Sequence, residues 1–259
     1  MIILFVGDVV STAGCEFLRK KLPEIKKKYN VDFCIVNGEN SAQGNGILPQ
    51  SANHIFTSGA DLITTGNHVL RRNEIHSMLE EEHTPVLRPQ NMHRTVPGKG
   101  VYISEKKGMR LGVANIMGSV YMDSVSNPFD CADSILEFFR KENVKNILID
   151  FHAEATAEKR AMGFYLDSRV SAVLGTHTHV QTADEQILPG GTAYITDAGM
   201  TGVTHSVLGV KIECATQKMR TGMPVKFENP EGECSMGCVI VETDNKTGRA
   251  VRIERLFIS

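Results

Sequence analysis

Five stretches of this 259-residue chain end an apolar run in residues that bind metals or move protons: IILFVGD (2–8), DFCIVNGEN (32–40), DLITTGNH (61–68), NILIDFHAE (146–154) and AVLGTHTH (172–179). Asp8, Glu39, Asn40, Asn67, His68, His152, His177 and His179 stand at or just beyond those ends. A lone histidine or aspartate in such a place is ordinarily a cap or a turn former. Here four of the nine histidines gather at run ends, whereas His54, His76, His83 and His93 fall in polar helical or loop segments and read as surface residues. Apart from His68, the donors are two carboxylates, two side-chain amides and three imidazoles, with no thiolate. That set exceeds a closed tetrahedral zinc site and suits two ions sharing a bridging carboxylate, with positions left for water and substrate. Oxygen and imidazole ligands without sulfur favour manganese, iron or zinc over copper(I).

These residues are far apart in sequence, so the elements that carry them must bring them together. The runs are short, rich in Val and Ile and without clean alternation, as in strands buried on both faces. LGVANIMG (111–118) and AYITDAG (193–199) complete the series. Residues 15–29, 73–82, 128–143 and 155–166 carry helical spacing of apolar and charged positions. The alternation predicts an α/β core, in which the carboxyl ends of the strands line one crevice and ligands bind there. Pro23 is expected to split or kink the first helix. The basic cluster RKKLPEIKKK is read as the solvated face of that helix, whose apolar positions are Phe17, Leu18, Leu22 and Ile25. After residue 205 the pieces PVKFE, GCVIVETD and RAVRIERLFI read as strands, the last two joined by an NKTG hairpin turn. No linker or internal repeat divides the chain, so residues 1–259 are read as one domain.

Composition narrows the classes of function. The formal net charge is -2, and no basic domain or nucleic-acid motif appears, so no intact nucleic acid is expected as partner. No apolar run approaches the roughly 20 residues of a membrane span. The opening MIILFVGD has no charged leader, and cytoplasmic residence is expected. Six scattered cysteines suit free thiols better than a disulfide framework, and CSMGC (234–238) reads as two small apolar residues on a strand rather than a zinc pair. A homo-oligomer is compatible with all of this.

Taken in order, GD (7–8), GEN (38–40), GNH (66–68), DFHAE (150–154) and GTHTH (175–179) resemble the motif series of the calcineurin-like metallophosphoesterases. More narrowly, ITTGNH, DFHAEAT, GTHTHVQTAD and AYITDAGMTG resemble the YmdB-like family of bacterial phosphodiesterases across nearly the whole chain. The resemblance implies an αββα sandwich, central sheets flanked by helices. It implies one ion held by Asp8, Glu39, Asn40 and His179 and a second held by Glu39, Asn67, His152 and His177, with Glu39 bridging. Two departures from the broad pattern stand out: Asp8-Val9-Val10 lacks the usual Asp-x-His histidine, and Glu39 replaces the usual bridging Asp. Asn40 takes the place of the lost histidine. On the same resemblance His68 is the general acid and small phosphodiesters, above all 2',3'-cyclic nucleotides, are the substrates; a phosphomonoesterase or a regulatory protein acting through partners would be built on the same ligands.

Asp150 and Glu154 flank His152, and either could fix an imidazole tautomer. Asp184 and Asp197 are read as loop-fixing or as ordinary turn residues. Arg88 reads as a phosphate clamp or, with more weight, a structural contact. His205 is assigned no role.

Overall fold

A computed structural model describes residues 1–259. In chain order the elements are β1 (Ile2–Val6), β2 (Asp8–Val9), α1 (Ser11–Lys28), β3 (Phe33–Asn37), α2 (Pro49–Ser58), β4 (Leu62–Thr64), a 3-10 turn (Asn73–Ile75) leading into α3 (His76–Glu80), β5 (Val101–Lys106), β6 (Met109–Met117), α4 (Pro128–Lys141), β7 (Asn146–His152), α5 (Thr156–Tyr165), β8 (Ala172–Thr176), β9 (Gln186–Ile187), β10 (Ala193–Ile195), β11 (Met200–Val203), α6 (Ile212–Thr221), β12 (Cys234–Thr243) and β13 (Ala250–Ile258).

The strands form two mixed sheets. The larger runs β2-β11-β12-β1-β3-β4 with β13 added to β12, and the smaller runs β5-β6-β7-β8-β10-β9. β1, β3 and β4 are mutually parallel, as are β6, β7, β8 and β10. Alternation along β1 sets the layers. Ile3 and Phe5 face the second sheet and pack with Ile35, Leu148, Leu174 and Ile195, while Leu4 and Val6 face outward onto Leu18 and Leu22 of α1 and Ile55 of α2. On the far side, Ile149 and Val173 of the smaller sheet pack on Phe139 of α4 and Met162 of α5. The result is the expected αββα sandwich, in which both faces of each central strand are apolar because both are covered. Full burial of such side chains stabilises by about 1.5–3 kcal/mol each.

Several expectations need correction. α1 continues through Pro23, which lies on its exposed side, where the carbonyl deprived of its donor can turn to water. PVKFE is not a strand. The segment before it folds instead into α6, which had no expected helix because only Ala215 of it is buried and its apolar pattern is correspondingly thin. α2 was also unforeseen, although Pro49 at its first turn and Gly59 at its left-handed end (φ 117°) are ordinary helix signals. β5 pairs antiparallel with β6 as a hairpin outside the expected series. The NKTG turn does join an antiparallel pair, β12 and β13.

The strand ends matter most for the site. Glu39 and Asn40 follow β3, Asn67 and His68 follow β4, His152 closes β7, and His177 and His179 follow β8. Asp8 continues β1 into β2, which pairs with Met200 of β11. All lie at carboxyl ends of parallel strands, one group from each sheet, where the two layers meet.

Candidate metal centre

The Asp8, Glu39, Asn40, Asn67, His68, His152, His177 and His179 side chains form one connected cluster. His152 is fully buried at its centre. Its Nε2 lies 3.1 Å from Asn67 Oδ1, 3.1 Å from His177 Nδ1 and 3.3 Å from Glu39 Oε1. Glu39, His152 and His177 alone place ligand atoms within 4.8 Å of one another. The same Glu39 oxygen also meets the second group: Asn40 Nδ2 donates to Glu39 Oε1 at 2.9 Å and sits 3.4 Å from His179 Nε2, which in turn lies 3.6 Å from Asp8 Oδ1. Glu39 therefore touches both halves.

The outer hydrogen bonds determine which ring nitrogen faces inward. Thr176 Oγ1 donates to Asp150 Oδ1 at 2.6 Å, so it accepts from His152 Nδ1 at 2.9 Å, and the Nε2 lone pair is left facing the cluster. His177 Nε2 lies 3.1 Å from Glu154 Oε2, which puts the proton there and the Nδ1 lone pair inward. His179 Nδ1 lies 3.0 Å from the Leu208 carbonyl, which turns Nε2 toward Asp8. Of the two candidate orienters, Asp150 thus acts on His152 through the Thr176 hydroxyl, and Glu154 acts on His177. Asn37 Nδ2 steadies Asp150 at 3.0 Å.

Four lone-pair atoms, Glu39 Oε1, Asn67 Oδ1, His152 Nε2 and His177 Nδ1, then converge with no proton between them. Such an arrangement is repulsive unless a cation or extra protons fill it. Asp8 Oδ1 is buried without a hydrogen-bond partner, a second atom that a cation would satisfy.

The titration of these groups reflects the same demand. For His152, burial opposes charge, yet Glu39, Asp8 and Asp150 override it and push the imidazole up to about 9. Burial, then the charge on His152, holds His177 down to about 4. Asp8 and Glu39 resist burial and stay below their ordinary range because the histidines surround them. Burial raises Asp150 to about 6. In the metal-free site, protons on imidazoles do part of a cation's work.

His68 sits at the rim, with 24% of its side chain exposed. Its backbone N–H donates to Glu39 Oε2 at 3.1 Å and its Nδ1 pairs with Asn40 Oδ1 at 2.9 Å, which leaves Nε2 without a protein partner in a residue that lines a cavity of about 470 Å³. Asn40 thus presents its amino group, not its oxygen, to the cluster. Burial lowers the His68 pKa from its ordinary value.

Away from the cluster, His83 and His93 are exposed, but His54 and His76 are half-buried and each keeps a buried Nε2 without a hydrogen-bond partner, because α2 and α3 lay their histidine faces partly onto the core. Arg88 is buried away from the cavity, its Nη1 donating to the Pro89 and Gln90 carbonyls, which makes it a structural contact. Asp184 accepts from Thr182 and from both the N–H and hydroxyl of Thr196, fixing that loop. Asp197 accepts from the Thr178 N–H at 3.0 Å, from its hydroxyl at 2.7 Å and from Lys159 Nζ at 2.8 Å, and so pins the residue between His177 and His179. Both histidines have positive φ, 95° and 63°, which this tether holds in place. His205 is exposed.

Sequence reasoning missed Gly66, Thr176 and Lys159. A Cβ on Gly66 would overlap the His152 ring and Glu39 Oε2. Each left a signal: Gly66 opens GNH, Thr176 lies inside GTHTH, and Lys159 shares a helix face with Met162 three residues on.

A sequence profile of the family described as YmdB-like protein matches residues 4–256. The 2',3'-cyclic-nucleotide 2'-phosphodiesterase of Bacillus subtilis strain 168 is 43% identical over 259 residues, covering 100% of this chain and 97% of that protein. Among solved structures, a hypothetical protein from Thermus thermophilus has a TM-score of 0.93 at 39% identity, covering 99% of this chain and 98% of its own. A Mycoplasma pneumoniae structure described as a novel phosphatase has a TM-score of 0.92 at 30% identity, covering 100% and 93%.

Proposed function

The chain belongs to the YmdB-like family, and from that membership and the cluster's chemistry we propose that it is a di-metal phosphodiesterase that hydrolyses 2',3'-cyclic nucleotides. The observation that carries the reading is the convergence of Glu39, Asn67, His152 and His177 lone pairs beside the unpartnered Asp8 oxygen, with Glu39 and His177 opening onto a cavity of about 470 Å³.

The residues fit two hard or borderline cations. One is assigned to Asp8, Glu39, Asn40 and His179, the other to Glu39, Asn67, His152 and His177, with Glu39 bridging; iron or manganese suits the donors best, and zinc is compatible. Asn40 would serve through its Oδ1, the same oxygen that accepts from the Nδ1–H of a protonated His68. Bound there, the ions acidify water and offset the charge of the phosphate. The protein's own part is to fix the imidazole orientations through Thr176, Glu154 and the Leu208 carbonyl and to bring His68 to the cavity. Water oxygen bonds to phosphorus, its own proton released to solvent, as the P–O2' bond breaks, and a protonated His68 gives its Nε2 proton to the departing alkoxide and is later reprotonated from solvent. The product is a nucleoside 3'-phosphate.

The test is metal analysis of protein purified without added salts, followed by side-by-side assay of 2',3'-cAMP, bis-p-nitrophenyl phosphate and p-nitrophenyl phosphate. Turnover of the monoester with none of the cyclic nucleotide would defeat the proposal.

A further inference from the structure

The cavity above the metal-ligand cluster has a second half of different chemistry. One wall consists of Leu208, Val210, Ala215, Met219 and Phe227, all from the segment after β11 that includes α6, and none of them belongs to the ligand set. Leu208 and Phe227 are each 44% exposed and Met219 is 81% exposed. Apolar side chains left in water are ordinary singly; several converging on one cavity beside a polar centre mark a ligand surface.

That wall is held firmly. Asn229 Oδ1 accepts from the Gly44 N–H at 2.8 Å and its Nδ2 donates to the Gly209 carbonyl at 2.9 Å, stitching the 205–211 turn to the loop after β3. Arg72 secures the same loop through the Gln43 and Asn45 carbonyls. The Asn229 amide is therefore spent on structure, and Asn45 is the one lining amide left without a protein partner. Lys218 Nζ lies 5.6 Å from the Phe227 centroid, so the ring already takes part in one face contact and remains partly open.

We propose that this wall is the nucleobase subsite, with Phe227 stacking on the base and Leu208 and Met219 flanking it. The inference rests on the phosphodiesterase reading, because it is the phosphate at the metal cluster that would direct the base onto this wall. Stacking uses the face common to all bases, and one amide that offers both donor and acceptor discriminates little between their edges. The subsite therefore demands a base without reading its identity, and favours purines over pyrimidines only through ring area.

The test compares kcat/KM of the metal-loaded protein for 2',3'-cAMP, 2',3'-cGMP, 2',3'-cCMP and methyl ribofuranoside 2',3'-cyclic phosphate, which carries the same reacting group without a base. The wild type is expected to favour cAMP over the base-less compound by roughly ten- to hundredfold, the range of one base stack, with cAMP and cGMP within a few-fold of each other. Phe227→Ala should erase most of that preference, chiefly through KM, and Phe227→Tyr should retain it. Equal use of cAMP and the base-less compound by the wild type, or an equal loss on both in Phe227→Ala, overturns the subsite while leaving the phosphodiesterase intact. A strong preference of cAMP over cGMP overturns the base-tolerant form. Failure of the loaded wild type on every diester defeats the phosphodiesterase reading and the subsite that rests on it.

Discussion

His68 is the residue whose proposed role separates most cleanly from the others. It touches the cluster through Glu39 and Asn40 and lines the cavity, with Nε2 free of any protein partner. His68→Ala is expected to lower kcat for 2',3'-cAMP by about 10² to 10⁴. The loss should be much smaller for bis-p-nitrophenyl phosphate, whose leaving group needs no proton, and bound metal should stay constant; equal losses on both substrates would remove the general-acid role. Gly66 offers a second test. Because a Cβ there overlaps His152 and Glu39, Gly66→Ala should reduce metal stoichiometry, measured by elemental analysis, in protein that keeps its secondary structure. Both residues stand in GNH, so the motif was legible; that the glycine is there to admit the His152 ring from another sheet was not, since the contact spans residues 66 and 152.

At the scale of elements, the loop after β8 depends on a tether from α5 and β10. Lys159 and Asp197 are 1% and 0% exposed and pair at 2.8 Å, and Asp197 holds Thr178 by two further bonds. Neutralising one partner of so buried a pair costs on the order of 3–5 kcal/mol. Asp197→Asn should therefore lower the denaturation midpoint clearly and weaken metal retention at His177 and His179; an unchanged midpoint would show that Asn satisfies the site. The strands that carry ligands were readable because burial on both faces leaves continuous apolar runs. α6 was not, because a helix with little buried surface has no strong apolar period, and the wall it supports went unseen with it.

For the whole molecule, the polar cluster joins the two layers. Asp8, Glu39, Asn40 and Asn67 come from the larger sheet, while His152, His177 and His179 come from the smaller. A cation bound only by the folded state stabilises it by mass action, about 2.7 kcal/mol at a hundredfold excess over Kd. Added Mn²⁺ should raise the Tm of chelator-treated protein, and Glu39→Gln should blunt that rise. In the metal-free protein the pH dependence has a definite sign. His152, raised from 6.5 to about 9, contributes stability that is fully present below pH 6.5 and lost as the pH climbs through 9. His177, lowered from 6.5 to about 4, contributes stability present above pH 6.5 and lost as the pH falls through 4. Asp150, raised from 3.8 to about 6, contributes stability that is lost as the pH climbs through 6 and so offsets the His177 gain in that window. The Tm of the metal-free protein should thus fall as the pH rises above 6.5, and metal loading should remove that alkaline decline because His152 is then neutral. Calorimetry at pH 7 in buffers of different ionisation enthalpy should register proton release on metal binding.

The sequence by itself determined the α/β core, the order of the strand ends that meet in the cluster and which polar residues stand there, because burial pattern and residue type are local properties of the chain. Only the tertiary structure decided what lies between those ends. It assigned Asp150 to His152 by way of Thr176, Glu154 to His177 and the Leu208 carbonyl to His179, turned Asn40 toward His68, and set the apolar wall of α6 and Phe227 across from the ligands. Each of these is a contact between segments tens of residues apart, and no periodicity within a segment records which distant partner the fold will supply.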